Sequence, residues 1–130
     1  MFKNVALSIA LAFSMTALAH EGHDDAPGAL KANHGGTVKA GKELNLEYIV
    51  SGSEVTLYPI SHEGKDLALT GLKVTATTKS PKGKPEILKL QAKDTAMVGT
   101  VDFKGAYRLE MNVAVESNGT SSNFKFQVEK

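Results

Sequence analysis

The sequence predicts an all-β protein, an antiparallel immunoglobulin-like β-sandwich of seven or eight strands. Two observations support this prediction. Apolar and polar residues alternate with a period of two in several segments, and glycine, proline, serine or asparagine residues separate those segments. No helical period follows the apolar stretch at the N-terminus. Short alternating strands joined by turns are typical of such a sandwich, and a small barrel is the alternative architecture.

The first predicted hairpin is centred on Ser51-Gly52-Ser53. Residues 43–50 alternate between polar and apolar side chains, so the two sets lie on opposite faces of a strand. The glycine-serine turn then leads into an antiparallel partner at residues 55–60. The apolar set of the first strand is Leu44, Leu46, Tyr48 and Val50.

A second hairpin is predicted in the middle of the chain. The β-branched run at residues 72–78 is followed by a proline- and glycine-containing turn at 80–85 and then by a strand at 87–90. Residues 97–103 supply one further strand.

The last predicted hairpin contains the clearest alternation. Strands at residues 107–115 and 124–128 flank a turn at Asn118-Gly119. The same turn begins a glycosylation sequon with Thr120, but that match is short, and a hairpin turn is the better interpretation. The apolar face of the first of these strands must be buried, and it comprises Tyr107, Leu109, Met111, Val113 and Val115.

Residues 1–19 have the parts of a cleavable secretory signal. Lys3 supplies the positive charge, residues 5–15 are apolar, and Ala17-Leu18-Ala19 places small residues where a signal peptidase cuts. The apolar run is shorter than the roughly 20 residues that a membrane-spanning helix needs. We therefore expect a mature chain that begins at His20, is periplasmic or secreted, and has no membrane span.

Composition argues against several classes of function. Removing Lys3 with the signal leaves 14 basic and 14 acidic residues, and Arg108 is the only arginine, so no electrostatic case for nucleic-acid binding remains. The sequence has no cysteine, so apolar burial rather than disulfides must stabilise the domain. It also lacks a Gly-x-Ser-x-Gly elbow and a glycine-rich phosphate loop. We predict that the protein is not an enzyme.

The placement of the histidines gives the main indication of function. All four lie between residues 20 and 62. Residues 20–33 have no sustained apolar period and are predicted to form a flexible tail before a folded domain at 34–130. The tail contains His20 and His23, His34 begins the domain, and His62 lies in a predicted turn.

These residues suggest a site for a divalent transition metal. Neutral imidazole binds copper and zinc, and carboxylates can complete the coordination shell. Cleavage before His20 would add an α-amine that, together with the imidazole of the same residue, can chelate copper(II). A solvated tail without metal is the alternative, and for His62 alone an exposed turn histidine is the simpler interpretation. The predicted metal ligands are His20, Glu21, His23, Asp24, His34 and His62.

The layout resembles a known group of proteins. A signal, a HEGHDD tail, His34-Gly35-Gly36 before the first strand and Ser61-His62-Glu63-Gly64-Lys65 after a later strand resemble small bacterial periplasmic domains associated with heavy-metal efflux. Similar segments precede the periplasmic adaptor subunits of resistance-nodulation-division cation exporters. The resemblance implies binding or delivery of copper or zinc, with an efflux adaptor as partner. The tail is shorter and has fewer histidines than many such tails.

A weaker resemblance is to the periplasmic copper-resistance sandwich proteins, whose mature N-terminal histidine binds copper(II). Only His20 and the fold type match this group. The rival hypothesis is a metal-independent exported interaction module that docks a partner through a strand edge or a loop. It is favoured by the absence of predicted ligands from the C-terminal half of the sequence.

Overall fold

The computed structural model describes residues 30–130, and this part of the chain contains nine β-strands. The predicted signal and most of the predicted tail lie outside the described residues, including His20, Glu21, His23 and Asp24. The strands are β1 (Thr37–Lys39), β2 (Asn45–Ser51), β3 (Glu54–Ile60), β4 (Leu72–Lys79), β5 (Glu86–Leu88), β6 (Gln91–Lys93), β7 (Ala96–Thr100), β8 (Arg108–Ser117) and β9 (Thr120–Glu129).

The strands form two antiparallel sheets. The first sheet has the order β1-β2-β3-β7-β6 and the second has the order β5-β4-β8-β9. Leaving out β1, this arrangement corresponds to the ABED and C′CFG sheets of immunoglobulin-like domains. The predicted immunoglobulin-like β-sandwich is therefore confirmed, with nine strands rather than seven or eight. Within residues 30–130, no helix is long and apolar enough to cross a membrane.

The predicted hairpins are present. β2 pairs with β3 around Gly52, β4 pairs with β5 across the proline-containing turn, and β8 pairs with β9. Asn118 and Gly119 have φ angles of 53° and 80°, which are the two positive values that a type I′ turn requires. The hairpin interpretation of Asn118-Gly119 is thus confirmed.

The core lies between the two sheets and is built from the alternating apolar residues. Leu46 and Leu57 from the first sheet and Met111 and Val115 from the second are each 0% exposed. Complete burial of one such side chain stabilises the fold by about 1.5–3 kcal/mol. An aromatic stack between Tyr48 and Phe126 also joins the sheets, with ring centroids 3.7 Å apart.

One predicted core residue is not buried. Tyr107 is 70% exposed and lies just before β8, where its carbonyl oxygen accepts a hydrogen bond from the amide of Lys130. Alternation assigns a side chain to a face of its strand, but it does not show how far the opposing sheet extends. The prediction that Tyr107 is buried was therefore wrong, although Leu109 and the later residues of that face are in the core.

Candidate functional site

Glu47 is a buried acid on the outer face of the first sheet. In β2, Leu46 and Tyr48 point towards the second sheet and pack in the core, so alternation directs Glu47 to the opposite face. Glu47 is nevertheless 0% exposed. A buried carboxylate must have hydrogen-bond partners, because its transfer out of water is otherwise costly. The partners come from the segment just before β1.

Three backbone amides of that segment donate to the carboxylate of Glu47. The amide of Asn33 lies 2.9 Å from Oε1, while those of His34 and Gly36 each lie 2.8 Å from Oε2. Hydrogen bonds that involve a charged group contribute more than neutral ones. Glu47 therefore fixes the path of residues 33–36 across the outer face of the sheet.

The two glycines after His34 allow this close approach. A Cβ atom on Gly36 would lie 2.5 Å from the backbone oxygen of Tyr48 and 2.7 Å from Cγ1 of Ile49. Gly35 has a φ angle of 77°, in the left-handed region that glycine adopts at little cost. The His34-Gly35-Gly36 sequence thus has a backbone role, which is to bring the chain down onto β2.

The imidazole of His34 is held by two other side chains. Its Nε2 atom lies 2.9 Å from Oδ2 and 3.0 Å from Oδ1 of Asp66. Its ring stacks on that of Tyr58, with centroids 3.8 Å apart and an interplanar angle of 9°. Because a carboxylate only accepts hydrogen bonds, Nε2 of His34 carries the proton. The side chains of His34 and Asp66 are each 29% exposed, so solvent reaches the pair.

Asn33 connects the pair to the loop that follows β3. Its side-chain amide donates to the carbonyl oxygen of Gly64 at 2.7 Å and to Oδ1 of Asp66 at 3.2 Å. The loop is closed by a hydrogen bond of 2.8 Å from the amide of Ser61 to the carbonyl oxygen of Lys65. Asp66 is therefore positioned from both sides, by Asn33 and by its own loop.

His62 belongs to the same loop but has a different partner. Its Nε2 atom lies 3.1 Å from the carbonyl oxygen of Gly41, and the side chain is exposed. Of the predicted ligands, His34 and His62 thus have different hydrogen-bond partners, Asp66 and Gly41. In residues 30–130, no three histidine, aspartate or glutamate side chains are grouped closely enough to hold a metal ion.

A shallow groove runs along the outer face of the first sheet beside His34. It has a volume of about 330 Å³ and is lined by residues of β3, β7 and the turn between β6 and β7. The ring of His34 borders it together with Thr56, Tyr58 and Lys93. His34, whose ring is held by Asp66 and Tyr58, is therefore part of the wall of the groove.

Sequence reasoning identified His34 but missed the residues that hold it. The alternation at residues 43–50 places Glu47 on the polar face of β2, and no sequence pattern singles out Tyr58 or Asp66. Asp66 lies 32 positions after His34 in the sequence. A single sequence contains no signal that connects residues at such separations, and these contacts follow only from the pairing of strands.

Comparison with known proteins adds information on the fold. No protein-family model matches the chain, and no curated protein matches it in sequence. Among solved structures, a DUF4426 family protein from Pseudomonas aeruginosa is similar, with a TM-score of 0.55 and 19% sequence identity. The match covers 72% of this chain and 96% of that protein. At this level of identity the similarity supports the fold alone.

Proposed function

We propose that this protein is an exported binding protein for a divalent transition-metal ion, copper(II) or zinc, that supports metal efflux or resistance. The observation that carries the proposal is the support given to His34. Glu47 anchors the backbone of this residue, while Asp66 and Tyr58 hold its ring. A ligand that is already in position loses little conformational freedom when it binds, which favours affinity.

The remaining ligands are proposed to come from the N-terminal segment. A single imidazole does not complete a zinc or copper(II) shell, which takes about four donors. His20, Glu21, His23 and Asp24 provide nitrogen and oxygen donors a short distance before His34 in the sequence. A fully extended chain from residue 23 to residue 34 spans at most roughly 36–40 Å. The donors can therefore reach the same ion as His34.

The proposed mode of action is binding and delivery, without catalysis. The partner is a periplasmic efflux adaptor, as the resemblance to efflux-associated domains implies. His34 supplies the fixed end of the site, and the N-terminal donors supply the end that captures the ion. An ion held in part by donors of the predicted tail can be passed on by exchanging those donors, while the domain stays folded.

Metal titration of the mature protein tests the proposal. Protein is recovered from the periplasmic fraction of an expressing host, where the N-terminus is expected at His20, and is titrated calorimetrically with copper(II) or zinc. We expect a Kd below about 100 μM. Affinity should weaken as the pH falls through about 6.5, where an unperturbed imidazole protonates.

Histidine variants then locate the site. The His20→Ala/His23→Ala double variant should lose the most affinity, because it removes both imidazoles of the predicted tail. His34→Ala should lower the affinity for metal about tenfold, which corresponds to about 1.4 kcal/mol of binding free energy. His62→Ala is the matched control and should bind as the unaltered protein does. If no metal tried binds more tightly than about 100 μM, the metal-independent interaction module becomes the better hypothesis.

A further inference from the structure

We propose that the outer face of the second sheet binds a second copy of this chain, so that two sandwiches pack face to face as a dimer. This inference does not depend on the proposed metal binding. The face is formed by the outward side chains of β4 and β8, whose inward neighbours Val74, Ala76 and Val113 contact the core. The inference is based on the distribution of charge over these two central strands.

The pairing of β4 with β8 arranges the outward charges in rows across the sheet. Lys73 lies beside Glu116 in the row at one end, and Lys79 lies beside Glu110 in the row at the other end. One strand is thus basic at both ends, and its neighbour is acidic at both ends. The two rows between them are uncharged on both strands and consist of Thr75 beside Ala114 and Thr77 beside Asn112.

The lysines of β4 are not neutralised within the domain. Among the described residues, no carboxylate oxygen lies within 4.0 Å of the amino group of Lys73 or Lys79. Lys125 of β9 does contact Glu110, at 3.6 Å, but its side chain is 66% exposed. Exposed ion pairs of this kind contribute little to stability. The charges of the face can therefore pair with those of a partner.

A two-fold axis can lie in this face either along the strands or across them. An axis along the strands, between β4 and β8, puts β4 of each copy over β8 of the other in the same rows. Each lysine then faces a glutamate, two from each copy. An axis across the strands puts β4 over β4 and β8 over β8, where like charges repel. The charge pattern therefore selects the first arrangement, in which the strands of the two sheets stay aligned as is usual for packed sheets.

An exposed apolar side chain on the same face supports this arrangement. Ile87 of β5 is 85% exposed and pairs in register with Thr77, so it lies on the outer face. Lys125 of β9 lies in the same row, because Thr77 pairs with Asn112 and Asn112 pairs with Lys125. The selected axis brings β5 of one copy over β9 of the other. Ile87 is then covered by the aliphatic part of Lys125.

The size of the face predicts a weak dimer. Four strands about 4.8 Å apart and about eight residues long cover roughly 500 Å². Two such faces bury roughly 1,000 Å² in total, which is at the low end for specific interfaces. The contact therefore forms at high protein concentration. Because these faces point away from the first sheet, the groove beside His34 stays open in both copies.

Sedimentation equilibrium of the mature protein tests the dimer. The protein should be mostly monomeric at about 10 μM and mostly dimeric at about 1 mM, as the small interface implies. Salt at about 0.5 M should shift the equilibrium towards the monomer, because it screens the ion pairs. A protein that is still monomeric at about 1 mM would overturn the proposal.

Two charge-reversal variants test which strands face each other. Lys73→Glu/Lys79→Glu makes the face acidic, and Glu110→Lys/Glu116→Lys makes it basic. Each variant alone should remain monomeric at about 1 mM, because like charges then oppose each other. An equimolar mixture of the two should form a heterodimer, since every reversed charge again faces its opposite. Circular dichroism checks that each variant is folded.

The matched control reverses two exposed lysines on the side of the first sheet. Lys65→Glu/Lys93→Glu changes the net charge by the same amount as the acidic variant, and it should dimerise as the unaltered protein does. A dimer that survives either reversal on β4 or β8 would show that another surface forms it. A mixture of the two folded variants that stays monomeric would contradict the pairing of β4 with β8 across the axis.

Discussion

The strands β2 and β8 have the same alternating pattern, but their polar faces have different surroundings. In β8, Met111 and Val115 are buried in the core, whereas Asn112 and Glu116 on the other face are exposed. In β2, Leu46 is buried in the core in the same way, yet Glu47 on the polar face is also fully buried. The difference arises because residues 33–36 lie over Glu47 on the outer face of the first sheet.

This comparison shows that one residue pattern can serve two purposes. On the second sheet, Asn112 and Glu116 on the outer face of β8 are in contact with solvent. On the first sheet, a single outer glutamate binds three backbone amides and thereby builds a loop that presents His34. The alternation of a strand separates two faces, but it does not reveal which face receives a second layer of chain.

The largest expected effect tests the covered glutamate against an exposed one. Glu47→Ala leaves three amides without their acceptor, at about 1 kcal/mol or more each, so we expect the free energy of unfolding to fall by about 3 kcal/mol. Glu116→Ala on β8 should change it by less than about 0.5 kcal/mol. Urea denaturation of the two variants makes the comparison. Similar losses would show that the amide contacts do not stabilise the protein.

Glu47→Gln sharpens the same test. The amide oxygen of glutamine can accept from part of the amide set, but the charge and the second acceptor are lost. We therefore expect a loss between those of the other two variants. A glutamine variant as unstable as Glu47→Ala would indicate that the charge, rather than the number of acceptors, stabilises the loop.

An intermediate effect is expected from the two glycines that bring the chain onto β2. Gly36→Ala places a methyl group against the backbone oxygen of Tyr48, which cannot move aside easily, and should cost about 2 kcal/mol. Gly35→Ala meets no atom within 4 Å, but it holds alanine at a φ angle of 77° and should cost about 1 kcal/mol. Thermal or urea unfolding measures both. A larger loss for Gly35→Ala would mean that the backbone conformation matters more than the close approach to β2.

The smallest effect is expected from an exposed ion pair remote from the covered face. Lys104 donates to Glu86 at 2.6 Å, and this hydrogen bond together with the charge of Glu86 raises the pKa of Lys104 above its ordinary value of 10.5. A raised lysine pKa stabilises the folded state below the pKa of the unfolded chain. This contribution is lost as the pH rises through the folded-state pKa.

Melting temperatures across this pH range test the pair. Glu86→Gln should melt slightly below the unaltered protein at neutral pH, because exposed ion pairs contribute little. The two proteins should converge as the pH rises through the raised folded-state pKa of Lys104, where the lysine loses its charge. Added salt should also narrow the difference. A difference that persists at high pH and high salt would show that the contact is not ionic.

Several strands could be predicted because their signals are local. The alternation at residues 43–50 and the Asn118-Gly119 turn each depend on neighbours in the sequence, and both are present in the structure. β1 and β6 have only three residues each, which is too short for a period of two to be recognised. Tyr107 continued the pattern of β8 but lies beyond the covered part of the strand.

Residue type and spacing along the chain were enough to predict the sandwich, its main hairpins and His34 as a candidate ligand. The folded structure was needed to show that Glu47 is buried, that Asp66 and Tyr58 hold the imidazole, and that His62 has a separate partner. These contacts join residues from different strands and loops. They depend on the pairing of strands and on the position of residues 33–36 over Glu47, so no local pattern specifies them.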